Sequence, residues 1–306
     1  MISVYGEILI DMVSGKNNTF EYFVGGAPFN VSYAISKLEG NVKFIGCVGN
    51  DLLGKFIREF TNGKVESKIY IDNERNTTQA IVINDETGER NFCFLRKNCA
   101  DYNIPLESLI EMEESSIVHV GSLMLNEEIG RKFANELILR AKQNNILISF
   151  DVNYRDDIYC SQEEAIAIAK KYINHADIVK FSEDEILMIT DSTELTEAVN
   201  KIKKDNQIVV ITLGSKGSAL YYNDEIIKAG SIKVMPVDTT GAGDAFYGTL
   251  LSEIDKFGFE TFVNDEELIL KSLKKANVQG ALATLKKGAV DGIVSKDELE
   301  IYLKSI

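Results

Sequence analysis

Thr239-Thr240-Gly241-Ala242-Gly243-Asp244 lies between the apolar run Ile232 to Val237 and the small, apolar stretch Ala245-Phe246-Tyr247-Gly248-Thr249-Leu250-Leu251. It reads as a glycine-rich turn entering a buried helix. The first N–H groups of a helix have no partners within it and form the positive end of its dipole, so such a turn favours an anion. Two glycines let a phosphate approach without meeting a Cβ. Asp244 at the mouth could take a proton from an attacking hydroxyl, which makes phosphoryl transfer the chemistry to look for. The same residues also suit a plain tight turn in which Asp244 only complements the dipole.

Outward from that turn, apolar runs recur at Lys43–Val48, Ile117–Val120, Ile146–Phe150, Asp177–Lys180 and Ile208–Thr212, and the N-terminus opens on a strand-like Ser3–Ile10. Runs without alternation imply strands covered on both faces. Amphipathic candidates at Ala27–Leu38, Glu127–Gln143, Glu163–Asn174 and Leu195–Lys203 lie between them, so the chain reads as βαβ units on a mainly parallel sheet flanked by helices. Residues 12–24 and about 68–98 break the rhythm with alternating, polar, β-prone sequence and a turn signal at Asp85-Glu86-Thr87-Gly88. They predict a small antiparallel β-sheet that projects as a lid; a surface decoration or a dimer surface is the other reading. No repeat and no linker is evident, which gives one α/β unit over 1–306.

With 45% apolar and 26% charged residues, the 306-residue chain has the composition of an ordinary globular protein. A net charge of −14 argues against nucleic acid and against an anionic membrane surface as partners. A phosphate-bearing ligand would therefore need a local positive site, and Mg²⁺ is the natural counter-ion for a polyphosphate. Cys47, Cys93, Cys99 and Cys160 show no zinc spacing, no apolar run approaches the roughly 18 to 20 residues of a membrane span, and a reducing cytoplasm is the expected compartment. His119 and His175 are the only histidines, too few for a histidine-based metal site, and both read as structural.

A second glycine-rich element, Gly25-Gly26-Ala27-Pro28-Phe29-Asn30, directly precedes a helix-like stretch. Paired glycines expose backbone N–H groups and Asn30 can donate and accept, which suits a ligand rich in hydroxyls. Asp11 reads as the end of the first strand, where open α/β sheets place binding residues, and could accept from vicinal hydroxyls. A turn and a strand-end cap account for the same residues equally well.

Together, Gly25-Gly26-x-x-x-Asn30 and Asp238-Thr239-Thr240-Gly241-Ala242-Gly243-Asp244-Ala245-Phe246 resemble the two signatures of the ribokinase-like (PfkB) sugar kinases, and the resemblance spans the chain. Gly25–Val31 and Asp151-Val152-Asn153-Tyr154-Arg155 most resemble the fructokinases within that family. The resemblance implies a central parallel sheet with a β-lid over the sugar. It implies Asp244 as base and Gly241, Ala242 and Gly243 as the anion hole. Asp11, Gly25, Gly26 and Asn30 match sugar-contact positions. Arg96 and Asp101 match a lid-side Arg-x-x-x-Ala-Asp segment, and Asn153 and Arg155 match substrate-facing positions; a salt bridge from Arg155 to Asp156 or Asp157 is the alternative. Lys180 and Ser182 lead into Glu185, the position implied to organise Mg²⁺ through water, with Ser182 where the family's motif has asparagine. Those two residues also read as a helix cap.

Thr212, Gly214 and Gly217 match a nucleotide-binding turn, without the Gly-x-x-x-x-Gly-Lys-Ser/Thr spacing of a P-loop. Asn277 matches a position lining the adenine pocket. Asp238, Thr240, Ala283, Lys286 and Gly288 match a monovalent-cation site, so K⁺ activation is implied with ATP and Mg²⁺. The resulting expectation is an ATP-dependent kinase of a sugar hydroxyl, with fructose as acceptor and a homodimer formed through the lid. Ribose, 2-keto-3-deoxygluconate, tagatose 6-phosphate, a nucleoside or an aminoimidazole riboside are the competing acceptors, and a non-catalytic sugar-binding protein is the competing class. A dinucleotide enzyme would need Gly-x-Gly-x-x-Gly after the first strand, which is absent.

Overall fold

The computed structural model describes residues 1–15, 19–84 and 90–304. Its first half comprises β1 (Ile2–Tyr5), β2 (Leu9–Ser14), β3 (Phe20–Gly25), α1 (Ala27–Lys37), β4 (Val42–Gly49), α2 (Leu52–Thr61), β5 (Ser67–Asp72), β6 (Gln79–Asn84), β7 (Arg90–Leu95), β8 (Ile117–Val120), α3 (Glu128–Gln143) and β9 (Leu147–Asp151). The second comprises α4 (Gln162–Ile173), β10 (Ile178–Ser182), α5 (Glu183–Thr190), α6 (Leu195–Ile202), β11 (Ile208–Thr212), β12 (Ser218–Tyr222), β13 (Glu225–Ala229), α7 (Ala242–Phe257), α8 (Phe259–Val263), α9 (Glu266–Ala283) and α10 (Lys296–Lys304).

The large sheet runs β13-β12-β11-β10-β9-β8-β1-β4-β5, parallel from β11 to β5, with β12 and β13 antiparallel at one edge. Successive residues of each strand serve opposite cores, as the unbroken apolar runs require. Ile2, Val4, Ile178 and Ile208 pack with α1, α7 and α9, whereas Tyr5, Val118, Val179 and Val209 pack with α3, α4 and α5. From β1 the chain builds towards β4 and β5 on one side and towards β8 to β11 on the other. The strand ends around β1 therefore border a crevice, the usual ligand position in such sheets.

The second sheet is ordered β3-β2-β6-β7. Its two hairpins are antiparallel, as expected, but the seam joining β2 to β6 is parallel. Residues 68–72 do not belong to it: β5 is the edge of the large sheet, hydrogen-bonded to β4. The turn signal Asp85–Gly88 lies outside the described residues. The strand expected over Ser3–Ile10 is broken after Tyr5, because Gly6, Glu7 and Ile8 carry the chain from the large sheet into the small one. Asp11 therefore stands inside β2 rather than at the end of a large-sheet strand. At the crossing Gly6 packs against Pro28 and Gly121, and a Cβ on Gly6 would overlap the Pro28 ring.

Two features fix α7, whose first turn holds Asp244. A Cβ on Gly248 would lie 2.5 Å from the Val31 carbonyl oxygen and 2.8 Å from the Ala34 Cβ, so glycine there lets α7 cross close over α1. Tyr247 pins the helix to the sheet: its hydroxyl lies 2.7 Å from Ser149 Oγ and donates to the Ile178 carbonyl at 3.2 Å. His119, 3.0 Å from Ser149 Oγ through Nδ1, packs edge-on to the Tyr247 ring, and burial pushes its pKa down to about 3. It is a neutral core histidine. His175 lies beside Lys142, which adds to burial in lowering its pKa.

Candidate active site

Gly241, with φ 77°, is the residue before α7, and a Cβ there would overlap the Ala289 carbonyl. Only glycine satisfies both demands, which is why the helix begins where it does. The apolar run Ile232 to Val237 is irregular chain rather than strand. It is held to the end of α9 by Val237 and Asp238 N–H groups donating to the Thr284 carbonyl at 2.8 and 3.0 Å.

Two cavities of about 480 Å³ each meet at this turn, sharing Thr239 and Gly243. The first lies between the large-sheet crevice and the small sheet and is lined by Asp11, Gly26, Asn30, Asn153, Arg155 and Asp244, among others. The second lies between α9, the β11–β12 turn and residues 231–236. Thr212, Gly214, Gly217 and Asn277 line it. A Cβ at Gly214, which has φ 57°, would meet nothing within 4 Å, so the backbone there is open to a ligand. Asn277 donates to the Ala229 and Gly230 carbonyls at 3.1 and 3.2 Å and thereby holds the wall of this cavity.

In the first cavity Asn30 Nδ2 donates to Asp244 Oδ2 at 2.8 Å, while the buried Asn30 Oδ1 has no partner among the described residues. Burial raises the Asp244 pKa; the Asn30 hydrogen bond and the cations Lys180 and Arg155 pull it back. Asp11 is pushed up to about 7 by burial, with Asp238 and Asp244 adding to the rise and Arg155 opposing it. Gly25 does not line the cavity but makes room for Asp11, whose Oδ2 a Cβ would overlap. Arg155 donates to the Tyr154 carbonyl at 2.8 Å and makes no ion pair with Asp156 or Asp157 among the described residues.

Several expected positions fall elsewhere. Arg96 and Asp101 do not line the cavity. They form a buried pair behind it, with Arg96 Nε 2.9 Å and Nη2 2.5 Å from Asp101 Oδ2, Arg96 Nη1 on Asn126, and Thr78 on the other Asp101 oxygen. Lys180, expected on the nucleotide side, lines the first cavity instead and lies 2.8 Å from both oxygens of the buried Asp151. Its Nζ is 3.4 Å from where a Gly243 Cβ would stand, so the ammonium sits under the glycine turn. Ser182 lines neither cavity. It caps α5 in a box with Glu185, whose oxygens accept from the Ser182 and Tyr154 N–H groups at 2.7 and 2.8 Å.

Among the described residues no cluster of three or more His, Cys, Asp or Glu side chains is built to hold a metal, so an ion here would rely on water and on the ligand's own oxygens. Asp238, Thr240 and Gly288 do come together. Buried Asp238 accepts from the Thr240 and Gly288 N–H groups at 2.8 and 3.0 Å, whereas the Ala283 carbonyl packs on Gly292 and Lys286 is exposed.

Glu7, Leu9, Phe94 and Leu123 also line the first cavity and Phe246 and Thr284 the second, functional positions that no expected site residue covers. The spacing 7, 9, 11 was the available signal for Glu7, since residues two apart share a face of an extended chain.

A parallel sheet with a crevice, two cavities meeting at a helix N-terminus and a carboxylate at the junction define a phosphotransferase site. The model of the pfkB family of carbohydrate kinases matches residues 1–296, and the chain belongs to that family. A fructokinase of Vibrio alginolyticus is 34% identical over 299 residues, 97% of this chain and 96% of its own. The crystal structure of a fructokinase from Vibrio cholerae O395 with fructose, ADP and calcium bound superposes with a TM-score of 0.92 at 31% identity, covering 99% of this chain and 98% of that one. A fructokinase from Xylella fastidiosa with bound ATP gives a TM-score of 0.92 at 26% identity, covering 99% and 98%. The chain is thus a sugar kinase by family. No helix among the described residues is long and apolar enough to cross a membrane.

Proposed function

We propose that the protein transfers the γ-phosphoryl group of ATP to a hydroxyl of D-fructose, giving fructose 6-phosphate and ADP. The observation that carries this reading is the junction: two separate cavities share Thr239 and Gly243, and Asp244 faces the first of them. The sugar occupies the first cavity and the nucleotide the second. Asp244, held through one oxygen by Asn30, takes the proton of the attacking hydroxyl as its oxygen bonds to the γ-phosphorus and the bond to the ADP oxygen breaks. The N–H groups after Gly241 and the Lys180 ammonium face the charge that builds on the phosphoryl oxygens. Mg²⁺, when bound, would neutralise phosphate oxygens; Glu185 lines neither cavity and its oxygens already accept the Ser182 and Tyr154 N–H groups, so it would act on the ion's water shell only through its remaining lone pairs and its charge, which reaches Lys180 and Asp244. A monovalent cation beside the turn would use Asp238, Thr240 and Gly288.

A neutral acceptor is favoured over a sugar phosphate by the charges in the cavity. Glu7, Asp11 and Asp244 face Arg155 and Lys180, and Lys180 is already neutralised by Asp151. Initial rates with Mg·ATP and a panel of sugars, with and without K⁺, should rank fructose first by kcat/KM. Turnover of ribose or 2-keto-3-deoxygluconate with fructose inert would overturn the acceptor and keep the kinase.

The small sheet supports a homodimer. The face it turns away from the cavity carries Phe20, Tyr22, Ile83 and Leu95, each 40 to 53% exposed. Sedimentation should give a dimer for the wild type and a monomer for Tyr22→Lys/Leu95→Lys. A dimer that survives both changes would place the interface elsewhere.

A further inference from the structure

We propose that Glu7 is a recognition residue of the first cavity, hydrogen-bonding a hydroxyl of a neutral sugar; the inference rests on the reading of that cavity as the acceptor site. Glu7 lies in the three-residue link between β1 and β2, at the crevice where the large sheet reverses its winding. With Leu9 and Asp11 it forms a row lining one side of the cavity. The residue is 1% exposed, and neither Oε1 nor Oε2 has a hydrogen-bond partner among the described residues. Space has been cleared for the carboxyl: a Cβ on Gly121 would stand 2.8 Å from Glu7 Oε2.

The obvious internal partner is already engaged. Arg96, the neighbouring cation, gives Nε and Nη2 to Asp101 and Nη1 to Asn126. Buried polar groups are satisfied as a rule, and a buried carboxyl left unpartnered on a residue that lines a cavity marks a place where a ligand that displaces its cover supplies the bond. The chemistry selects the ligand. Burial, opposed by the residue's own backbone N–H and by Arg96 and reinforced by Asp101 and Asp244, pushes the Glu7 pKa up to about 7, so near neutrality the carboxyl is present in both its protonated and its ionised form. Its protonated form donates through one oxygen and accepts through the other, which matches a sugar hydroxyl. A phosphate or carboxylate at the same place would be repelled by the ionised form, with Asp11 and Asp244 adding to the repulsion.

The test is initial-rate kinetics of Glu7→Gln and Glu7→Ala with fructose and with singly deoxygenated fructoses, alongside melting temperatures. Glu7→Ala should raise KM for fructose roughly 10- to 100-fold and leave KM for ATP within about twofold; Glu7→Gln should cost less. One deoxy sugar should bind the wild type about as poorly as fructose binds Glu7→Ala, and its combination with either variant should bring no further loss. A carboxyl that merely shaped the fold would instead give penalties that add for every deoxy sugar. That result, or KM values for fructose within about twofold of wild type in both variants, overturns the inference while leaving the acceptor site in place. Should Glu7→Ala not fold, Glu7→Gln carries the same cycle. A wild type that phosphorylates no sugar removes both readings together.

Discussion

Asp244→Asn should bind fructose and Mg·ATP with affinities near those of the wild type and turn over about 10²- to 10⁴-fold more slowly. Asparagine keeps the shape at the first turn of α7 and can still pair with Asn30 after an amide rotation, so the cavity survives. The lost capacity is acceptance of the hydroxyl proton. The pH profile gives a second readout. Burial raises the Asp244 pKa in the free protein, and a base must be ionised, so wild-type kcat/KM falls as pH drops through a value above that of an ordinary aspartate. The limb disappears in Asp244→Asn. Isothermal titration with a non-hydrolysable ATP analogue separates binding from turnover; kcat within tenfold of wild type would remove Asp244 as the base.

Much of this site was legible in the sequence because its residues are local. Thr239–Asp244 and Gly25–Asn30 are contiguous turns, and Gly26 and Gly241 in them serve backbone demands that only glycine meets, so their pattern survives without any knowledge of the fold. The unbroken apolar runs fixed the parallel sheet for the same reason, since burial on both faces leaves no alternation. What the sequence hid depends on contacts across the chain. Nothing within residues 96–101 says that Arg96 spends its donors on Asp101 and Asn126 and never reaches the cavity wall. Asp151 and Lys180 are neighbours only because β9 and β10 pair in register, which sets the two residues side by side. β5 read as part of the lid because, as an edge strand covered on one side, it shares the lid's alternating pattern.

Lys180→Met should fail in two ways that a second substitution can separate. Lys180 and Asp151 are both at least 95% buried, and their pair is made through both carboxylate oxygens. Removing the ammonium leaves a buried carboxylate without its counter-charge, a loss of about 3 to 5 kcal/mol. Burial already raises the Asp151 pKa and Lys180 opposes that rise, so without Lys180 the folded protein holds the proton more tightly. The destabilisation should therefore be smallest at low pH, where Asp151 is protonated in folded and unfolded chains alike, and grow as pH rises. Pairing the change with Asp151→Asn replaces the ions by uncharged groups of similar volume, and most of the stability should return, because a buried ion pair as a whole contributes little. Turnover should not return. The ammonium under Gly243 is needed where phosphoryl charge develops, so the double variant should melt near the wild type and remain at least about 100-fold slower. A double variant that regained wild-type kcat would make the pair a structural strut and leave phosphoryl stabilisation to the turn after Gly241 and to Arg155 among the described residues.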